Sequence, residues 1–426
     1  MSIIEKVKLA KAASNTIGSL TGDAKNCCLA AIATALRDNA DSILAANKVD
    51  LDNAANANLA KPMLKRLTFD QAKLDGVIDG LHSLQKLEDP VGKILAATEL
   101  DSGLDLTKVS CPIGVIGVVF ESRPDALVQI SSLCLKSGNA AVLKGGSEAL
   151  NTNRELARVI QNACVSAGFT GDWLQLIETR DDVSEMLKLD DDIDLIIPRG
   201  SNAFVKYIMS HTSIPVLGHA DGICHVYIDE NANPDMAVNV TVDSKCQYVS
   251  VCNAAETLLI HAAIAPVVLP RLKVELEQHG VRLLGCPRIR AITDMEAATD
   301  ADWDTEYLDY VLSIKIVDSL DEAITHINTH GSGHTDVIIT DNDKAASMFM
   351  QRVDSGDVFW NCSSRFSDGF RFGFGAEVGI STNKIHARGP VGLEGLVIYK
   401  YLLKGHGHIV ADYAEGRKHF THIKKL

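Results

Sequence analysis

Apolar residues recur at intervals of three and four through roughly the first 95 positions: Ile3, Ile4, Val7, Leu9 and Ala10, then residues 28–47, then 70–87. That period places them along one face of a helix, so the pattern predicts amphipathic helices that need a surface to cover. From Asp101 the pattern changes. SGLDLTKVSCPIG alternates apolar and polar residues as a half-exposed strand pair does, and VIGVVF (115–120) is continuously apolar, as in a buried parallel strand.

Strand and helix patterns then alternate. A helix over 124–136, opened by Pro124, is followed by strand 140–143, helix 148–167, strand 173–177, helix 183–188, strand 193–197 and helix 202–209. This rhythm predicts an α/β protein with a doubly wound parallel sheet, in which ligands bind beyond the carboxyl ends of the strands. After Asp229 it restarts with helix 235–242, strand 257–260, helix 263–279 and strand 281–284. Strand 311–317, helix 320–328, strand 336–340 and helix 343–350 follow. Two α/β domains are expected, 1–228 and 229–390. The strand-like 395–403 in the remaining 391–426 is expected to pair with the 103–110 ribbon. A strand and tail joined to the 100–112 segment in this way would make an oligomerisation arm.

Composition narrows the class. With 46% hydrophobic and 23% charged residues the chain reads as ordinary globular protein. A net charge of -14, from 41 basic and 55 acidic side chains, argues against nucleic-acid binding. The ten cysteines form no C-x-x-C pair, which fits reduced thiols in the cytoplasm. The N-terminus is broken by lysines, and no apolar run is long enough for a membrane span, so a cytoplasmic protein is expected.

The candidate chemistry starts at Cys252, which follows the polar segment 243–248 and precedes a strand. A loop there can expose a thiol, and a nucleophilic thiolate needs nearby positive charge, for which Lys245 is a candidate. The competing reading is a small buried hydrophobe. Lys144-Gly145-Gly146-Ser147-Glu148 ends a strand and opens a helix, where backbone N–H groups can meet a phosphate; a tight β-α turn explains it equally well. Arg199-Gly200-Ser201 repeats the arrangement, and the pair makes a nucleotide site more credible than either turn alone. Glu121, Ser122 and Arg123 follow the 115–120 strand directly. Arg365 and Arg388 stand in long polar loops, each able to fork onto a carboxylate. No metal site is expected: the acidic run 190–192 reads as a turn, and His406 and His408 as surface residues. No H-E-x-x-H, G-x-S-x-G or Walker motif occurs.

Together, FESRPD (120–125), LKSGNAAVLKGGSEA (135–149), IDLIIPRGSNA (193–203), PVLGHADGICHVYID (215–229), CNAAETLL (252–259), INTHGSGHTD (327–336) and DGFRFGFGAEVGISTNKIHARGPVGLEGL (368–396) resemble the aldehyde dehydrogenase superfamily. The likeness covers almost the whole chain. It is greatest to the branch that reduces γ-glutamyl phosphate to glutamate γ-semialdehyde in proline synthesis. It implies an aldehyde-dehydrogenase-like fold, an NADP-binding domain in 1–228 and a catalytic domain in 229–390. Cys252 matches the nucleophile. Lys144, Gly145, Gly146, Ser147 and Glu148 match the adenosine-ribose stretch, and Gly200 and Ser201 match the helix start facing the diphosphate of NADPH or NADP. Glu306 matches the residue that holds the nicotinamide ribose, although Asp309-Tyr310 replaces the Gly-Pro that relatives carry after it. Oxidising relatives have a water-activating Glu where Leu217-Gly218-His219-Ala220 stands here. Its loss agrees with a reductase, since water attack would waste the acyl intermediate. Ser122 and the Cys252 backbone N–H are the candidate oxyanion donors. Arg123, Arg365 and Arg388 are candidates for the phosphate and the α-carboxylate, and Glu121 or Asp368 for the α-ammonium. The resemblance also implies a homo-oligomer, dimer or tetramer, and glutamate 5-kinase as a separate partner chain. Two alternatives stay open: a hydrolytic or CoA-linked aldehyde dehydrogenase, and a non-catalytic scaffold for the kinase.

Overall fold

The structure, a computed structural model, describes residues 1–219 and 221–426, apart from the side chain of Pro62. It divides into two compact units. The first comprises Met1–Leu217, Phe374–Gly379 and Val391–Leu426; the second comprises Gly218–Gly373 and Ile380–Pro390.

In the first unit, Leu174–Leu176, Ala140–Lys144, Val115–Val119 and Leu195–Pro198 lie in that order in a parallel sheet. Every residue of Val115–Val119 is buried, as its unbroken apolar run requires. Helix Pro124–Lys136 has the bounds that its starting proline and apolar spacing predict. The single apolar stretch over 28–47 is two helices, Gly22–Asp38 and Ala40–Asn56, because Asn39 leaves helical geometry between them. The ribbon is antiparallel. Val397–Lys404 pairs with Leu104–Pro112 from Val397 opposite Pro112 to Lys404 opposite Asp105, and Leu104–Pro112 also pairs with Ile94–Asp101.

In the second unit seven parallel strands run in the order Glu296–Ala297, Arg282–Gly285, Val311–Val317, Ala255–His261, Cys224–Ile228, Thr335–Ile339 and Asp357–Trp360. The boundary expected at residue 228 therefore lies earlier, at Leu217. Cys224–Ile228 is hydrogen-bonded between Ala255–His261 and Thr335–Ile339, so it belongs to this sheet. The polar stretch expected as a loop after 242 is also different. Helix Pro234–Cys246 continues through it, with Ser244 and Lys245 buried on its inner side.

Burial of one histidine in this unit sets a pH limit on stability. His326 packs against Trp303, His330 and His225 at ring separations of 5.5, 4.5 and 5.6 Å, and its Nδ1 is 3.1 Å from Lys315 Nζ. Burial first, then the charges of His225, Lys315 and His330, push its pKa down to about 2. An unfolded histidine takes up its proton near pH 6.5 while the folded one refuses it, so stability falls as pH drops below that value. The expected loss is about 1.4 kcal/mol per pH unit for this residue. The unfolding midpoint should fall between pH 7 and 5, and more shallowly in His326→Leu. Identical slopes for the two proteins would refute this origin.

Candidate active site

Val311–Val317, Ala255–His261, Cys224–Ile228 and Thr335–Ile339 are consecutive neighbours in the second unit's sheet. Strands in register are about 5 Å apart, so the segments leading into them emerge side by side. Glu306, Cys252, Gly222 and His334 all lie on those leading segments. The convergence is at the amino ends of the strands, opposite to the carboxyl ends that the doubly wound pattern suggests.

Cys252 Sγ lies 3.1 Å from Nε2 of His334. Cys252 is partly exposed, and its sulfur faces a histidine ring nitrogen. His334 is buried, and its Nδ1 is 2.7 Å from Thr335 Oγ1. Burial first, and then His219, hold the His334 pKa well below the usual histidine range. The ring is therefore neutral, and burial disfavours its protonated form. His219 meets His334 edge-on at 5.1 Å, and its Nδ1 is 3.1 Å from the Ile380 carbonyl oxygen. Ala220, at the end of the stretch that lacks the water-activating Glu, lies outside the described residues.

Short contacts hold the backbone around the cysteine. The Cys224 thiol donates to the Cys252 carbonyl at 3.1 Å, Ser364 Oγ donates to the Asn253 carbonyl at 2.6 Å, and Asn253 Nδ2 donates to the Ser367 carbonyl at 2.6 Å. Gly222 packs directly on this turn. A Cβ there would stand 2.2 Å from the Cys252 oxygen and 2.5 Å from its Cα, so only glycine fits without moving the nucleophile.

The charge near the cysteine differs from the expectation. Lys245 is fully buried and paired with Glu256 at 2.6 Å. Burial pushes the Glu256 carboxyl up to about 7 against the opposing pull of Lys245. Lys245 thus neutralises a buried carboxylate instead of serving the thiol. Arg365 is another cation, and its charge bears on Cys252. It is buried, its Nε donates to Gln247 Oε1 at 2.9 Å, and its carbonyl accepts from Arg371 at 2.9 Å. Burial, and then Arg371, lower its pKa, while a Cys252 thiolate and Asp368 act in the opposite direction.

The other candidates are distributed as follows. Asp368 caps its own turn by accepting from the backbone N–H groups of Phe370 and Arg371, both at 3.0 Å. Arg388 reaches Asp354 through both its carboxylate, at 3.0 Å, and its carbonyl, at 2.9 Å, and so ties its loop down. Glu306 belongs to a loop anchored where the Leu308 N–H donates to Glu256 Oε1 at 3.1 Å; its charge helps raise the Glu256 pKa.

In the first unit, Ser122 Oγ donates to Glu148 Oε2 at 2.5 Å. A Cβ on Gly146 would lie 2.1 Å from Ser122 Oγ, and one on Gly145 would lie 2.2 Å from Asn153 Nδ2. The two glycines therefore let the 120–123 segment and the following helix pack against the turn. Ser147 and Glu148 open a 3₁₀ turn leading into helix Leu150–Ser166. Lys144 is half-buried and held below the usual lysine range by burial, with Glu148 opposing and Arg180 reinforcing the shift. Ser201 is the N-cap of helix Asn202–Ser210. Glu121, Arg123 and Gly200, with Arg199 and Gln129, line a cavity of about 530 Å³. At its edge Glu121 pairs with Arg66 at 3.2 Å and Arg123 with Asp125 at 3.5 Å.

The sequence reading missed His334, His219 and Gly222. Each lies within a stretch that carries the family likeness, but nothing local distinguishes these two histidines from the other twelve among the chain's 14.

Two parallel α/β units, with a cysteine on the approach to a sheet strand, agree with the likeness seen in the sequence. The chain belongs to the aldehyde dehydrogenase family, which it matches over residues 2–283 and 292–381. Its relatives are specific within that family. It is 62% identical over 424 residues to the γ-glutamyl phosphate reductase of Pelotomaculum thermopropionicum, covering 100% of this chain and 98% of that protein. It is 61% identical to the γ-glutamyl phosphate reductase of Acetivibrio thermocellus, with the same coverage of 100% and 98%. The crystal structure of γ-glutamyl phosphate reductase from Thermotoga maritima matches it with a TM-score of 0.94 at 38% identity, covering 96% of this chain and 100% of that one. Among the described residues no helix is long and apolar enough to cross a membrane.

Proposed function

We propose that the chain reduces γ-glutamyl phosphate to glutamate γ-semialdehyde and phosphate, with NADPH as reductant and Cys252 as nucleophile. The observation that carries this reading is the 3.1 Å pairing of Cys252 Sγ with a neutral, buried His334, in a chain without the water-activating Glu of oxidising relatives. His334 takes the thiol proton as the sulfur attacks the acyl carbon, and the carbon–oxygen bond to phosphate breaks. The departing phosphate receives that proton, and a γ-glutamyl thioester remains on Cys252. NADPH, when bound, supplies the hydride that reduces the thioester carbon. The carbon–sulfur bond then breaks, the semialdehyde leaves, and the thiolate regains its proton from water. The sum is one acyl phosphate, one NADPH and one proton converted to aldehyde, NADP and phosphate.

Arg365 serves the anionic phosphate and the thiolate, because its charge bears on Cys252. The Cys252 N–H is assigned to the developing oxyanion. Ser122, engaged with Glu148, orders the cofactor turn. By the resemblance, Glu121 and Arg123 are candidates for the α-ammonium and α-carboxylate, and Glu306 for the nicotinamide ribose. At the turn, Lys144 and Arg180 both act on the Glu148 carboxylate. Lys144 and Arg180 are the two cations there that would meet an adenosine 2′-phosphate, whereas the carboxylate by itself would suit a free hydroxyl, so NADPH over NADH rests on the family resemblance. The exposed Tyr399, Tyr401, Leu402 and Leu403 of the ribbon support a homo-oligomer, and the free cysteines fit a cytoplasmic enzyme. The acyl phosphate cyclises readily, so delivery by glutamate 5-kinase on a separate chain is consistent with the reading.

The test is oxidation of the semialdehyde with NADP in the presence and absence of phosphate. Turnover should require phosphate and yield an acyl phosphate that hydroxylamine traps. Phosphate-independent turnover would favour a hydrolytic dehydrogenase, and CoA-dependent turnover an acylating one.

A further inference from the structure

We infer that Cys252, His219 and His334 form a binding site for a borderline-soft divalent cation, Zn²⁺, whose occupation reversibly masks the nucleophile. This rests on the reading of Cys252 as that nucleophile and adds a regulation of the same site. The sulfur and one ring nitrogen of each histidine lie within 4.8 Å of one another. The closest pair, Cys252 Sγ and His334 Nε2, is 3.1 Å apart. Around a tetrahedral zinc with bonds of roughly 2.0 to 2.3 Å, ligand atoms stand about 3.3 to 3.6 Å apart, so small side-chain rotations close the set. One sulfur and two imidazoles leave a fourth position for water, the arrangement of an open zinc site. No carboxylate belongs to the cluster, so the hard cations Mg²⁺ and Ca²⁺ have no reason to choose it.

The outer contacts suit this role. The Ile380 carbonyl oxygen lies 3.1 Å from His219 Nδ1, so that nitrogen carries a proton and donates to it. Thr335 Oγ1 faces His334 Nδ1 in the same way. Carbonyl and hydroxyl acceptors behind an imidazole orient it and strengthen its ligating nitrogen. Gly222 and the hydrogen-bonded Cys252 backbone fix the sulfur's position, which lowers the entropy lost on coordination. Zinc on Sγ occupies the lone pair that attack requires, so inhibition is expected to be immediate and reversed by a chelator.

The experiment titrates the full-length protein with Co²⁺, a coloured substitute for zinc, and follows absorbance. It then measures turnover in chelator-buffered Zn²⁺. The wild type should bind one equivalent with a thiolate-to-cobalt charge-transfer band and lose at least tenfold in activity at saturating zinc, with recovery on adding EDTA. Cys252→Ser should lose the charge-transfer band, and His219→Ala should weaken cobalt binding about tenfold or more, both variants keeping wild-type circular dichroism. Cobalt binding that is equally tight in both variants, or a wild-type spectrum without the thiolate band, would overturn the site. The two readings fail separately. Full turnover by Cys252→Ala would sink the nucleophile and leave the cobalt titration standing, whereas an inactive Cys252→Ala beside a wild type that takes up no cobalt would sink the metal site alone.

Discussion

Cys252→Ala is expected to lower the rate of acyl phosphate reduction by a factor of about 10⁴ or more, the scale on which removal of a covalent nucleophile acts. The loss should fall on kcat. Without sulfur, hydride would have to reach an acyl phosphate directly, and the intermediate that divides the reaction into two lower barriers cannot form. The fold should survive. The contacts that hold this turn run through the backbone oxygens of Cys252 and Asn253 and the side chain of Asn253, none of which the substitution removes. NADPH binding, followed by fluorescence, should be unchanged within about twofold, which separates lost chemistry from lost structure. A variant with a tenth of wild-type turnover would remove Cys252 from the mechanism.

His334→Gln should cost about 10² to 10⁴ in kcat/KM at neutral pH, the range in which a positioned general base contributes. Glutamine can keep a hydrogen bond to the sulfur but cannot take its proton, so the variant relies on thiol ionised without a base, a fraction that grows with pH. The deficit should therefore shrink as pH rises. A role limited to packing would lower activity equally at every pH. A parallel pair of profiles, or a loss under threefold, would mean that His334 moves no proton.

Much of this protein is legible along the chain, and the reason is local. Pro124 and the apolar spacing behind it mark a helix whose bounds the structure reproduces, and the run 115–119 is buried throughout. The ribbon expected between 395–403 and 103–110 is found between Val397–Lys404 and Leu104–Pro112. Errors occur where a distant partner changes the value of a residue. Ser244 and Lys245 look like a solvated loop, yet both are buried in the last turns of a helix, because Glu256 and Ser363 meet them there. The Cys224–Ile228 strand is buried on both sides between strands that arrive later in the chain, so its allegiance to the second unit depends on pairings that no local pattern encodes. A Cβ on Gly145 or Gly146 would meet Asn153, Phe120 or Ser122, a close packing that the turn's own residues do not announce.

By itself the sequence determined the class of the protein: alternating strand and helix periods, a cysteine ahead of an apolar strand, and motifs spread over almost the whole chain. Only the tertiary structure decided the company that cysteine keeps. His219 and His334 are 115 positions apart in number and come near the same sulfur because the strands they lead into lie first and second, on one side, from the strand that follows Cys252. Strand order comes from non-local hydrogen bonding and from which apolar faces can be buried together. A residue's neighbours along the chain carry little of that information, and here it governs which side chains the thiol meets.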